Sequence, residues 1–183
     1  MADEFLVRYG APTLAGIKTG NLFSVKYSHK EKLFKELREL NHVLCPKGIR
    51  IIPMQLKAKR ALLYLYRPKD LMRDLRDSKA RTILQESGYC PENADQCVAH
   101  LMERLKNDEG FPHEIGLFLS YPPEDVQGFM KNRAAGYKMV GAWKVYGDVE
   151  KARRTFDLYD KCTSAFCKMW GSGVPISRLA VGG

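Results

Sequence analysis

Two rhythms of hydrophobic spacing run along this chain, and each change of rhythm marks an element. Leu22 to Tyr27 turns β-like after the small-residue opening APTLAGIKTGN. Ser28, followed three residues later by Glu31, has the form of a capping box, and Leu33, Leu37, Leu40 and Leu44 then recur at helical spacing until Pro46, Lys47 and Gly48 stop them. Ile49 to Leu56 and Ala61 to Tyr66 are extended runs joined by the basic turn KAKR, which predicts a hairpin. Pro53 lacks a donor for the ladder and therefore places the first of these strands at an edge or a bulge. Pro68 opens a helix through Leu71 and Leu75 toward Leu84, broken near Gly88, and Asn93 to Lys106 carries Val98, Leu101 and Leu105 on one helical face.

The stretch from Phe111 to Tyr146 reads as a βαβ unit. Glu114 to Tyr121 contains Leu117, Phe118 and Leu119 without polar alternation, the pattern of a strand covered on both faces, and Tyr137 to Tyr146 is nearly as apolar. Between them, Pro123, Glu124 and Asp125 announce a helix that ends near Gly136. A right-handed crossover makes the two strands parallel, with their carboxyl ends at one rim, where open α/β sheets hold ligands. Gly116 and Gly141 fall inside these runs and signal a close approach by a helix, a ligand or an aromatic ring.

The last helix is the clearest. Val149, Ala152, Phe156, Tyr159, Thr163, Phe166 and Trp170 alternate three and four residues apart, with Lys151, Arg154, Lys161 and Lys168 on other faces. The order βαββααβαβα predicts an α/β or α+β sandwich around a five-stranded mixed sheet, with a C-terminal βαβ unit, in a single globular domain over residues 1–183.

Composition changes this picture in two respects. Thirty Lys and Arg against twenty-one Asp and Glu give a formal charge of +9, which favours anionic partners. An anionic small molecule comes first, an acidic protein such as a small redox protein second, and nucleic acid third, because the basic residues are scattered rather than gathered into an arm or RNA-binding motif. Five cysteines without a CxxC pair suit a reducing compartment, the N-terminus lacks a signal core, and no run approaches membrane-spanning length. These features predict a cytoplasmic protein that does not enter the membrane.

Candidate chemistry is sparse. His113 and Glu114 are the only adjacent acid/base pair near the buried run, but neighbours on a strand face opposite ways, so anchoring a loop is the plainer role. Arg67, Tyr121, Lys144 and Tyr146 lie near predicted strand ends, where together they would bind an anion or a planar ring. Lys18 to Asn21 invites a phosphate-loop reading, yet the GxxxxGK[ST] spacing is missing and a turn opening an edge strand explains it. Cys162 and Cys167 diverge by about 140° on the final helix and read as half-buried core thiols. Cys97 with His100, and His42 with Cys45, have one-face helical spacing, but two ligands each do not make a metal site, and none is expected. No GxSxG, HExxH or GxGxxG occurs, no cofactor is indicated, and no particular cysteine is marked as a nucleophile.

Four phrases in order, APTLAGIKTGNLF, FPHEIGLFLSYPPEDVQGF, VGAWKVYGD and KCTSAFCKMW, resemble a bacterial family of unknown function, domain family DUF3793, found chiefly in anaerobic Firmicutes. The resemblance covers nearly the whole chain. It implies a bacterial cytosolic source and transfers no catalytic residue. Relatives often carry cysteine where this chain has Ala142, which weakens any thiol mechanism at that position.

Overall fold

A computed structural model describes residues 2–106 and 110–183. They form a mixed α/β protein that separates into two compact units, Met1–Lys69 with Tyr159–Gly183, and Asp70–Leu158.

The first unit opens with helix α1, Ala2–Leu14, an element absent from the predicted order. Gly10 and Pro12 disguised it as a loop. Leu6, Val7, Ala11 and Leu14 nevertheless fall on one face and are buried. Gly10 is needed because Leu65 occupies the space a Cβ would take, so the helix lies close on the sheet. Strand β1, Gly20–Lys26, follows, then helix α2, Lys30–Leu44. The four predicted leucines form its buried face, but its N-cap is His29 with no side-chain bond, so the capping box does not form. Asn41 ties α2 to the sheet, donating to Ile51 O at 2.8 Å and accepting from Ile51 N at 2.9 Å.

Strands β2, Arg50–Lys57, and β3, Arg60–Tyr66, make the predicted hairpin. The sheet is three-stranded and antiparallel in the order β1-β3-β2, so β2 is an edge strand, and its register slips between Pro53 and Gln55. Proline's missing donor is thus accommodated both ways. Ala58 and Lys59 turn the hairpin in the left-handed region at φ 49° and 57°. Alternate residues Ala61, Leu63 and Leu65 of β3 join Phe23, Val25 and the helix leucines in one hydrophobic cluster.

The second unit is mainly helical. The single helix predicted from Pro68 is two, α3 at Pro68–Leu75 and α4 at Ser78–Glu86. Asp77 makes the break, because its carboxylate caps α4 by accepting from Lys79 N and Ala80 N at 2.9 and 3.1 Å. Helix α5, Ala94–Lys106, buries Val98, Leu101 and Leu105 as expected.

The predicted βαβ unit does not exist. Its first strand is a 3₁₀ helix, His113–Leu119, with every residue from Glu114 to Leu119 buried. An unbroken apolar run is equally the mark of a buried strand and a buried helix, and here the helix won. Ser120, at φ 63°, ends it and turns the chain back, so that Tyr121 N donates to Gly116 O at 3.0 Å. Helix α6, Pro123–Lys131, follows and packs on the 3₁₀ helix. The second strand is a small antiparallel hairpin, β4 Met139–Val140 with β5 Lys144–Val145. The five-stranded sheet is therefore replaced by sheets of three and two strands, without a parallel pair among the described residues.

Helix α7, Val149–Gly171, has the predicted amphipathic form. Within 149–158, Ala152 is buried and Phe156 half-buried; within 159–171, Phe166 is buried and Tyr159, Thr163 and Trp170 half-buried, while Lys151, Arg154, Lys161 and Lys168 are exposed. Helix α8, Ile176–Leu179, adds two buried side chains to the first unit's cluster. Among the described residues, no helix is long and apolar enough to cross a membrane.

Candidate functional site

The second unit holds an apolar cavity of about 290 Å³ between the 3₁₀ helix, α6 and the β4–β5 hairpin. Among the described residues, five ring side chains line it: Phe111, His113, Tyr121, Phe129 and Trp143. Its construction starts with glycines. At Gly116 a Cβ would come within 2.8 Å of Tyr121 Cδ2 and Val126 Cγ2, and at Gly141 it would strike the Phe156 ring. The close approaches that these glycines signalled are real. Both a neighbouring helix, through Val126, and aromatic rings occupy the space.

Asp125, in the first turn of α6, organises the hairpin. Its Oδ2 accepts from Trp143 Nε1 at 2.7 Å, and its Oδ1 accepts from Tyr146 N at 2.8 Å and Gly147 N at 2.7 Å. The carboxylate is 3% exposed, so three N–H donors replace the water it lost. Trp143 is fixed further by Phe156, edge to face at 4.6 Å, and lies 4.8 Å from the Tyr121 ring. Nothing in the spacing of the sequence singled out Asp125, Trp143 or Phe129. The one signal in the sequence is Asp125 itself, whose place in the first turn of a helix the dipole already explains.

Of the four predicted ligand-binding residues, the structure brings two together. Tyr121 and Lys144 both line the cavity. Burial raises the Tyr121 pKa, and the neutral phenol donates to Ala142 O at 3.3 Å. Lys144 Nζ donates to Ala134 O at 2.9 Å and stands 4.7 Å from the Tyr137 ring and 5.9 Å from that of Phe129. Tyr146 is not a lining residue. Its ring fills the space over Gly128, and its hydroxyl is buried without a hydrogen-bond partner among the described residues.

Arg67 belongs to the first unit, 4% exposed, and its guanidinium serves backbone carbonyls: Nε donates to Thr13 O at 2.8 Å, and one terminal nitrogen donates to Leu14 O at 3.0 Å and Val181 O at 2.7 Å. A cation there meets the carbonyl end of α1, which is the favourable end of a helix for positive charge.

His113 and Glu114 go separate ways. His113 meets the Phe129 ring edge-on at 5.0 Å inside the cavity. Glu114 is 2% exposed, and its Oε1 accepts from Tyr89 Oη at 2.8 Å and pairs with Arg104 Nε at 2.9 Å. Burial, and then the Glu114 bond, raise the Tyr89 pKa strongly. Both residues also border a polar recess with Arg104 and Glu86, yet Glu114 is committed to its own partners rather than to His113.

Two of the cysteines, Cys97 and Cys162, are held as unreactive thiols. Burial pushes the Cys97 thiol up to about 11, and its Sγ donates to Cys90 O at 3.3 Å, while His100 stacks on Tyr89 at 4.3 Å. Cys162 is half-buried with its pKa raised by burial, as a core thiol would be, but Cys167 is exposed, contrary to expectation, because its side chain lies past the edge of the apolar stripe. Among the described residues, no three potential metal ligands gather.

No curated protein and no solved structure matches this chain. A family model does, described as protein of unknown function (DUF3793) and matching residues 6–180, and the chain belongs to that family.

Proposed function

We propose that the protein binds a small organic anion in the cavity of its second unit. The observation that carries this reading is the lining: apolar and ring-bearing over nearly all its surface, with Lys144 and the hydrogen-bonded Asp125 as its charged residues among those described. Pockets of this kind, mostly apolar with few polar groups, fix a ligand's orientation through those groups and gain affinity from the rest. Lys144 has three N–H donors and spends one on Ala134 O, leaving two for a ligand oxygen among the described residues. The net charge of +9 favours the same sign of ligand at longer range.

Binding, rather than turnover, is the role proposed. Trp143, Tyr146 and Gly147 take three of the roughly four acceptor sites of the Asp125 carboxylate, which gives it a structural role in the wall.

Trp143 makes the test direct, since only Trp170 shares its fluorescence. In a Trp170→Phe background, titration with 8-anilinonaphthalene-1-sulfonate should quench emission to saturation at one equivalent. Lys144→Gln should weaken that binding about tenfold, the loss of one charge-assisted contact. Unsaturable quenching, or equal affinity with and without Lys144, would refute the reading.

A further inference from the structure

Resting on that assignment of the cavity, we infer that its ligand is a flat, two-ring aromatic monoanion, a fused-ring carboxylate or sulfonate, seated rings inward with its acid group at Lys144. Size is the first argument. An apolar cavity of ~150 Å³ accommodates benzene. The cavity of about 290 Å³ is roughly twice as large, room for two fused rings and a small acid group.

Shape preference is the second. Aromatic rings attract one another in offset or edge-on arrangements with centroids 4.5–7 Å apart. Two such pairs, Tyr121 with Trp143 at 4.8 Å and His113 with Phe129 at 5.0 Å, already furnish the walls. A third aromatic body extends that pattern, whereas an alkyl chain finds only generic contact.

Rigidity is the third. Trp143 is pinned by Asp125 and Phe156, and the backbone at Gly116 and Gly141 is closed over by other side chains. A fixed slot favours a rigid ligand, because a flexible chain loses rotor entropy on entering it. An entrance is also present: Phe111 and Val140, both lining residues, are 53% and 56% exposed. Finally, among the described residues the cavity's charged lining side chains are Lys144 and Asp125; the Asp125 carboxylate is held by three N–H donors, so Lys144 is the group left to meet a ligand's charge, and one cation beside a carboxylate suits a monoanion better than a phosphate dianion.

Isothermal titration calorimetry of the intact protein with benzoate, 2-naphthoate, decanoate and 2-naphthalenemethanol tests each part. We expect 2-naphthoate to bind at least tenfold more tightly than benzoate or decanoate, and about tenfold more tightly than the neutral alcohol. Lys144→Met should abolish the preference for naphthoate over the alcohol without weakening the alcohol itself. Decanoate equal to or tighter than naphthoate, with the lysine dependence kept, overturns the aromatic inference and leaves the organic-anion site standing. Absence of binding by all three carboxylates overturns both.

Discussion

Trp143 donates its indole N–H to Asp125 Oδ2 at 2.7 Å, and both side chains are buried. The bond joins the first turn of α6 to the hairpin and sets one wall of the cavity. Because the same carboxylate accepts from two backbone amides, Asp125→Ala strands one buried and two part-buried donors at once. At about 1–2 kcal/mol for each, the expected loss is about 3–6 kcal/mol. Trp143→Phe, which keeps a ring and drops one donor, should cost about 1–2 kcal/mol. Urea unfolding of the two variants and their combination gives a coupling energy, and strictly additive losses would show that the bond does not link the elements.

Buried Glu114 and partly exposed Arg104 form a second such relationship, at 2.9 Å. Removing one member of such a pair costs more than removing both, since an isolated charge is left out of water. Arg104→Met should destabilise the protein by about 2–3 kcal/mol, less than for a fully buried pair because the arginine side chain is 39% exposed and partly screened. Adding Glu114→Gln to that variant should recover at least half of the loss. Chemical denaturation showing no recovery would mean that packing around Arg104, not the charge, matters.

Lys18 gives the protein a pH dependence of definite sign. Burial lowers its pKa from 10.5 to about 8, and its ammonium stands 5.4 Å from the Tyr159 ring. In the unfolded chain the lysine keeps its proton to near 10.5, so between these values the unfolded state binds more protons than the native state. Stability therefore rises with pH across that window through this group, and the burden is fully present below about pH 8. The ceiling on the effect is about 3 kcal/mol. Lys18→Met should flatten the rise, seen as a shrinking advantage of the variant in urea midpoint from neutral pH to pH 10.5. Parallel pH profiles for the two proteins would contradict the assignment. Cys97, whose folded pKa of about 11 lies above its ordinary 9.0, acts in the opposite direction and cancels in the comparison.

How much was legible varied with the kind of signal. The leucines of α2, the stripe of α7 and the β2–β3 hairpin were readable because each element buries one side and wets the other, and that contrast is written in the spacing. Pro53 was readable for a simpler reason: the missing N–H restricts where a strand may pass. Helix α1 was not, since Gly10 and Pro12 look like breakers until Leu65 is seen packed against Gly10. The rim of parallel strands that would join Tyr121 and Lys144 does not exist, and they line one cavity instead because Ser120 turns the chain back while the hairpin presents Lys144.

What the sequence determined by itself was family membership, the amphipathic helices and the edge hairpin, all of which follow from local chemistry and one-sided burial. Tertiary structure alone decided that Glu114–Leu119 coils rather than extends, that Arg67 serves backbone carbonyls in one unit while Tyr121 and Lys144 line a cavity in the other, and that Asp125 holds Trp143. Where a segment is buried on every side, no polar face remains to betray its period, and only its neighbours in space fix its shape and its partners.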